Sequence, residues 1–191
     1  MDKTGGKLKF CDDYTAEDIG ADTLLHGAFV WAPVPHARLN AMDCTAAEQA
    51  EGVVRIVTAA DVPGMNKMGT WTPEQPVFCT DEVNFLGDHL ALIVADTVEH
   101  ARAAAKLVRI DYEELPGIYT MADGYRKNSF IVHTGRKSGD VEQAKQRPDI
   151  VKINVSKEIE PQEHACMEPV SAIGMVQDGK TTVYACTQAP F

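Results

Sequence analysis

The sequence predicts an α/β or α+β domain, followed by the start of a second, strand-rich region. Three features within Val83–Pro116 carry this prediction: a short apolar run between turn residues, a segment with helical periodicity, and a segment that alternates. A strand, a helix and a strand in this order form the usual building unit of such domains. We therefore take this stretch as the organising element of the chain.

Each part of that stretch has its own signal. Leu90–Ala95 is continuously apolar, as in a strand that is buried on both faces. Asp96 is placed to cap the next helix, and Glu99 stands three residues later, as a capping box requires. The helix is predicted from an apolar stripe at helical spacing: Val98, Ala101, Ala105 and Val108. The closing strand is predicted from the alternation of Val108, Ile110 and Tyr112 with charged residues.

The first half of the chain predicts a second strand–helix–strand unit with a shorter helix. Thr45 and Glu48 form a capping-box pair, and Gly52 is placed to end the helix. The predicted strands are Leu24–Trp31, Arg38–Met42 and Val53–Thr58. The glycines and prolines of Ala59–Phe78 predict a long loop.

The last third of the chain combines a polar segment with predicted strands. Met121–Arg147 is polar, and we place a domain boundary within it, near Arg126. Ile150–Glu160 alternates well enough to predict a strand with one fault in its register. Ser171–Val176 and Thr181–Thr187 are joined through Asp178-Gly179 and so predict a hairpin. This region is too small for a comfortable core, so it resembles the start of a larger domain.

Composition excludes several classes of function. The net charge of −10 argues against nucleic acid and anionic membranes as partners. No apolar run approaches the length of a membrane span, and the first ten residues lack the apolar core of a signal peptide. The five cysteines are widely spaced without a CxxC pair, which favours reduced thiols in a cytoplasmic protein.

Residue chemistry alone assigns no activity. Gln162–Pro169 concentrates polar and ligating groups, and a small metal site using His164 and Cys166 is conceivable, but hard and soft ligands are mixed there. Polar groups that are hydrogen-bonded at a bend explain the same residues more simply. His36 lies in a Pro-His-Ala-Arg turn. We expect it at the surface or at an interface, with its ring nitrogens hydrogen-bonded. We expect no dedicated metal site.

Taken together, the motifs of the chain resemble a known family. They stand in a fixed order: Asp12-Asp13-Tyr14, Pro35–Arg38, Asp43, Gly52–Val54, Thr58–Gly64, Val83–Gly87, Val94–Thr97, Ala101–Ala105 and Asp111–Pro116. This succession resembles the α/β hammerhead domain of the xanthine dehydrogenase/aldehyde oxidase family of molybdenum hydroxylases. Gly139-Asp140, Gln162–His164 with Glu168, and Thr187-Gln188 continue the resemblance into the family's first molybdopterin-binding domain.

The resemblance implies a fold and a domain division. The expected class is α+β, with strand–helix–strand units on a mixed sheet and an incomplete β-rich segment after them. Residues 1–125 would form the hammerhead domain. Residues 126–191 would form a linker and the first part of a molybdopterin-binding domain.

The resemblance also implies hydroxylation of an aromatic heterocycle or aldehyde by a molybdopterin-type molybdenum cofactor. Electrons would leave through iron–sulfur clusters and FAD on partner domains or subunits. The expected partners are the remainder of the molybdenum subunit, the iron–sulfur and flavin subunits, and a second copy in a homo-oligomer. The cofactor carries the difficult chemistry in such enzymes, and the protein positions and tunes it.

The resemblance singles out five residues. Gln188 matches a glutamine whose amide hydrogen-bonds an oxo ligand of molybdenum, a task that suits a neutral carboxamide. Gln162, Glu163, His164 and Glu168 match a motif that we expect to order the strand leading toward the cofactor, as scaffold rather than as catalyst. No catalytic residue is assigned.

The family's glycine-rich stretch, substrate-orienting arginine and catalytic glutamate would all lie beyond Phe191. The chain is therefore expected to be an N-terminal fragment that does not turn over alone, and its substrate cannot be read from it. The alternative is a non-catalytic hammerhead module that packs on partners and holds no cofactor. The strand edge of Thr181–Phe191 is expected to self-associate or to be disordered.

Overall fold

The computed structural model describes residues 5–69 and 75–188. Within them the strands are β1 (His26–Trp31), β2 (Ala37–Asp43), β3 (Val53–Val57), β4 (Glu82–Val83), β5 (His89–Ala95), β6 (Arg109–Glu114), β7 (Ala172–Gln177) and β8 (Lys180–Ala185). The α-helices are α1 (Ala16–Ile19), α2 (Thr45–Glu48), α3 (Val98–Ala105), α4 (Met121–Arg126) and α5 (Val141–Gln146). No helix in these ranges is both long and apolar enough to cross a membrane.

The strands form three small sheets, in the orders β1-β5-β3, β4-β2-β6 and β7-β8. Every pairing of these strands is antiparallel. The predicted α+β class is confirmed, but the sheets are separate and antiparallel instead of one mixed sheet. The reason is that β5 and β6, which flank α3, join different sheets. A strand–helix–strand pattern fixes the elements and leaves the partners of each strand open.

The apolar run at the centre of the sequence prediction is the central strand of the first sheet. Leu90 and Ile93 of β5 are 2% and 0% exposed and belong to the hydrophobic core, while β1 and β3 pair with the two edges of the strand. Ala101 and Ala104 of α3 are fully buried, and their small side chains let the helix approach the sheet closely. Ile110 and Tyr112 of β6 pack against the same core from the second sheet.

The start of α3 differs from the prediction. The helix is capped by Thr97, whose hydroxyl accepts a hydrogen bond from the His100 backbone N–H at 3.2 Å. Asp96 stands one residue before this N-cap and does not cap the helix; its Oδ1 pairs with Nδ1 of the His100 ring at 2.6 Å. The Glu99 capping box is therefore not formed.

The predicted strand at Ile150–Glu160 is also not formed. The segment has no regular secondary structure, and Val151 and Val155 are 86% and 82% exposed. An alternating sequence becomes a strand only when a neighbouring strand accepts its backbone hydrogen bonds. In the described ranges no such neighbour pairs with it.

The chain divides into two compact units. Residues up to Gly117 group with the residues from Glu168 onward, and Ile118–Met167 forms the second unit. The first unit contains all three sheets, and the second contains α4 and α5.

Candidate functional site

Gln188, the residue that the resemblance assigns to the cofactor, follows the β7–β8 hairpin. The hairpin turns through Asp178 and Gly179, whose φ angles of 51° and 74° are those of the predicted tight turn. Its pairing runs from Gln177 opposite Lys180 to Ala172 opposite Ala185, and the Cys186 N–H donates to the Ser171 carbonyl at 3.1 Å. Gln188 lies three residues beyond β8 and is exposed. The predicted tail beyond it, residues 189–191, lies outside the described residues.

Glu168 precedes β7 at the same open end of the hairpin, and it connects the hairpin to the N-terminal turn Cys11–Asp13. Its Oε1 accepts a hydrogen bond from the Cys11 backbone N–H at 3.3 Å. The Cys11 thiol, in a side chain only 6% exposed, donates to the Tyr184 carbonyl at 3.5 Å. The Tyr14 and Tyr184 rings pack with their centroids 5.4 Å apart. The base of the hairpin is thus fixed to a segment that begins more than 150 residues earlier.

Gln162, Glu163 and His164 lie in the second unit, in an exposed segment without helix or strand. Glu163 Oε1 accepts a hydrogen bond from the Ala165 N–H at 3.1 Å, next to a left-handed backbone at Ala165, where φ is 48°. The bend of this segment lies a little further on, at Met167 and Glu168. Of the five predicted residues, Glu168 and Gln188 are brought to one hairpin, and the roles of all five remain predictions.

A metal-binding role for His164 and Cys166 gains no support from the geometry. Both side chains are exposed. Across residues 5–69 and 75–188, no three histidine, cysteine, aspartate or glutamate side chains gather in a way that could hold a metal ion.

A buried carboxylate, Asp88, was not singled out by the sequence analysis. It is 2% exposed, and its Oδ2 accepts hydrogen bonds from the N–H groups of Asn84 at 2.7 Å and Phe85 at 3.3 Å. Burial, and then the nearby Asp88 charge, raise the pKa of the Cys79 thiol to about 12. Cys79 therefore stays protonated and is no nucleophile. Asp88 belongs to the turn that precedes the apolar run Leu90–Ala95, but nothing in the sequence showed that it is buried.

Cys79 also lines a cleft of about 290 Å³ between the first two sheets. The other lining residues are Leu39, Asn40, Ala41, Met42, Thr58, Ala59, Ala60, Thr80, Leu90 and Ile110. None of them carries a charge, so the cleft offers neither an acid nor a base for catalysis.

His36 is held by two acceptors. Its Nδ1 lies 3.0 Å from the Pro116 carbonyl oxygen, and its Nε2 lies 3.0 Å from Glu82 Oε1. These contacts raise the pKa of His36, first through Glu82 and then through the carbonyl. Both nitrogens can donate at once only in the imidazolium form, so protonation of the ring allows it to bridge Glu82 in β4 and the Pro116 carbonyl beyond β6. These contacts agree with the expectation of a hydrogen-bonded histidine, although the sequence did not identify its hydrogen-bond partners.

Comparison with known proteins places these features in a family. Residues 5–116 match the model of the "Aldehyde oxidase and xanthine dehydrogenase, a/b hammerhead domain". Residues 123–191 match the model of a molybdopterin cofactor-binding domain.

Individual relatives agree with the family models. The chain is 35% identical to Xanthine dehydrogenase 1 of Arabidopsis thaliana, over 93% of this chain and 13% of that protein. It is 29% identical to the nicotinate dehydrogenase large molybdopterin subunit of Eubacterium barkeri, over 100% of this chain and 45% of that protein. Among solved structures, an aldehyde oxidoreductase from Desulfovibrio gigas matches with a TM-score of 0.73 and 27% identity, over 96% of this chain and 22% of that one. The chain thus spans less than half the length of each of these proteins.

Proposed function

Because the chain belongs to the xanthine dehydrogenase and aldehyde oxidase family, we propose that it supplies part of the molybdopterin-binding subunit of a hydroxylating oxidoreductase. The substrate class is an aromatic heterocycle or an aldehyde. Residues 1–125 would serve as the hammerhead domain, and residues 126–191 would begin the cofactor-binding domain.

The observation that carries this proposal is the anchored hairpin that leads to Gln188. Hydrogen bonds and ring packing at Cys11, Tyr14 and Glu168 fix the base of the hairpin. The exposed Gln188 lies three residues beyond β8, past this anchored end of the hairpin. A side chain mounted on a rigid element holds its ligand in a defined direction.

One residue of the described chain, Gln188, has a side chain that suits a molybdenum cofactor. The carboxamide of Gln188 carries two N–H donors and no charge, so it can donate to an oxo ligand without changing the charge of a redox centre. When bound, the cofactor would supply the oxidation chemistry. The contribution of this chain is to present the Gln188 amide and, through Glu168, to keep the hairpin that carries it in place.

The remaining steps of the reaction require other domains and subunits. We propose that the remainder of the subunit provides the substrate pocket and the catalytic base, and that iron–sulfur and flavin partners accept the electrons. The 191 residues alone would then neither bind molybdenum stoichiometrically nor turn over. The five cysteines are widely spaced in the sequence and include no CxxC pair, which fits a reducing, cytoplasmic setting.

The test is a substitution of Gln188 in the complete molybdenum subunit with its partners. Gln188→Ala should lower the turnover of an aldehyde or xanthine about 10- to 100-fold, the range typical of outer-sphere ligands, and should alter the Mo(V) electron paramagnetic resonance spectrum. Gln177→Ala, an exposed glutamine at the end of β7, is the matched control and should change neither.

If Gln188→Ala changed neither the turnover nor the spectrum, the proposed contact between Gln188 and the molybdenum cofactor would be wrong. Substrate oxidation by the purified 191-residue chain would contradict the proposal that turnover requires the rest of the subunit and its partners. Absence of molybdenum from the complete subunit would favour a non-catalytic hammerhead module.

A further inference from the structure

One short turn near the N-terminus, Cys11–Asp13, contacts both sides of the β7–β8 hairpin at its open end. The Cys11 backbone N–H donates to Glu168 Oε1 at 3.3 Å, on the side of β7. The Cys11 thiol donates to the Tyr184 carbonyl at 3.5 Å, on the side of β8. Both contacts are made within the described chain, so they require no further domain to form.

The ring of Tyr14 adds a third contact on the side of β8. Tyr14 and Tyr184 are both half-buried, and their ring centroids lie 5.4 Å apart with 34° between the ring planes. Aromatic pairs at this separation stabilise a structure beyond the area that they bury. The pair holds the last part of β8, four residues before Gln188.

The turn that makes these contacts is closed by its own hydrogen bonds. The Phe10 backbone N–H donates to Asp13 Oδ2 at 2.9 Å, and the Asp13 N–H donates to the Phe10 carbonyl at 3.0 Å. Cys11 is 6% exposed, and Ile19, at the end of the following helix α1, is 7% exposed. The turn is therefore a fixed support for the hairpin rather than a loose loop.

Supports on opposite sides of the hairpin restrain its open end more than one support could. A single contact leaves the strand pair free to rotate about it, whereas contacts at Glu168 and Tyr184 oppose both rotation and displacement. The Cys186 N–H then donates to the Ser171 carbonyl at 3.1 Å, which extends the pairing one residue beyond β8. Gln188 lies two residues after this hydrogen bond, so little chain separates it from the supported end.

We propose that Cys11 and Tyr14, which lie in the range that matches the hammerhead model, are positioning residues for the contact between Gln188 and the molybdenum cofactor. The inference rests on the proposed function, because it requires the Gln188 amide to donate to the cofactor. Neither residue is assigned a chemical step. Their task is to hold the direction of the amide, and a misdirected amide slows turnover without weakening substrate binding.

The first test needs no cofactor and measures hydrogen exchange of the Cys186 amide in the 191-residue chain. Tyr14→Ala removes the ring contact and should quicken this exchange about two- to tenfold, the range expected for the loss of an aromatic pair. Tyr14→Phe keeps the ring and should exchange like the wild type. Equal exchange in Tyr14→Ala and the wild type would overturn the proposal.

Cys11→Ala tests the second support in the same experiment. It keeps the backbone N–H, removes only the thiol donor and should quicken the exchange of Cys186 about two- to fivefold. Cys79→Ala is the control for a general loss of stability, because Cys79 is equally buried at 7% exposure but lies beside Asp88. It should leave the exchange of Cys186 unchanged, and equal effects of the two substitutions would contradict a specific role for Cys11.

The second test is a double-mutant cycle in the complete molybdenum subunit with its partners. Tyr14→Ala should lower kcat for an aldehyde or xanthine about two- to tenfold, leave KM unchanged and alter the Mo(V) electron paramagnetic resonance spectrum. In a Gln188→Ala background, Tyr14→Ala should lower kcat no further, because the amide that it positions is gone. Tyr14→Phe should match the wild type in all three measurements.

The outcomes separate this inference from the proposed function. If the losses of kcat from Tyr14→Ala and Gln188→Ala were independent and multiplied in the double variant, Tyr14 would not act through Gln188, and the contact of Gln188 with the cofactor would stand. A Tyr14→Phe variant as impaired as Tyr14→Ala would also overturn the positioning role. A Gln188→Ala variant with normal turnover and a normal spectrum would overturn the proposed function and this inference with it.

Discussion

The backbone N–H of Cys11 donates a hydrogen bond to Oε1 of Glu168 at 3.3 Å, across 157 positions of the chain. This contact joins the first turn of the hammerhead region to the foot of the hairpin that ends near Gln188. Because Tyr184 also packs on Tyr14, the hairpin is held at both of its strands. The position of the proposed cofactor contact therefore depends on residues near the N-terminus.

We expect Glu168→Ala to loosen the hairpin. The substitution leaves the partly buried Cys11 N–H without its acceptor, which costs about 1 kcal/mol or more. Hydrogen exchange of the β7 and β8 amides should quicken accordingly. Glu168→Gln keeps an oxygen acceptor and should show a smaller change. Glu163→Ala, which removes only a contact to Ala165, is the control, and equal exchange in all variants would disprove the anchoring role.

Gly52→Ala is expected to destabilise the first unit through a steric clash. Gly52 has a φ of 73°, and an added Cβ would lie 2.1 Å from Asp96 Oδ1 and 2.2 Å from His100 Nδ1. The substitution therefore adds backbone strain and also displaces the Asp96–His100 pair. The free energy of unfolding in urea is the measurement.

The matched control is Gly20→Ala. Gly20 has a φ of 70° but nothing within 4 Å of an added Cβ, so it isolates the cost of a left-handed backbone, about 1 kcal/mol. Gly52→Ala should cost at least twice as much. Equal losses of unfolding free energy in the two variants would show that the Asp96–His100 pair moves aside at no cost in stability.

Stability should fall as the pH rises through the pKa of His36. Hydrogen bonds to Glu82 and the Pro116 carbonyl raise the pKa of His36 above its usual 6.5 in the folded chain. The stabilisation is therefore complete below pH 6.5 and is lost as the pH rises through the elevated value. Urea unfolding at a series of pH values from about 6 to 9 should show this slope. His36→Gln should reduce this slope without abolishing it, because the hydrogen bond with Asp96 also raises the pKa of His100. The exposed His164→Gln should leave the slope unchanged, and an unchanged slope in His36→Gln would show that His36 does not contribute to it.

The thiols should differ widely in reactivity. Cys79 is buried, and burial together with Asp88 raises its pKa to about 12, so its thiol stays protonated at pH 8. Cys166 is exposed. Alkylation of the native chain with iodoacetamide, followed by peptide mass spectrometry, should label Cys166 long before Cys79. Similar rates at both positions would show that the environment around Asp88 opens readily.

Local patterns proved reliable where neighbouring residues decide the structure. Asp178-Gly179 predicted the hairpin turn because those two residues accept the left-handed backbone that the turn requires. The apolar run and the helical stripe likewise predicted β5 and α3. Asp96 shows the limit of this approach: its carboxylate could cap the helix, but a ring four residues later competes for it.

By itself, the sequence determined β5, α3 and most of the other strands of the hammerhead region, though not β4 or α1, and its motif order determined the family. Only the tertiary structure decided that β5 and β6 belong to different sheets, that Val151–Ile159 lacks a neighbour in the described ranges, and that Glu168 meets Cys11. The physical reason is that periodicity and turn preferences act over a few residues. Strand partners and distant hydrogen bonds are selected by how the whole chain closes around its core.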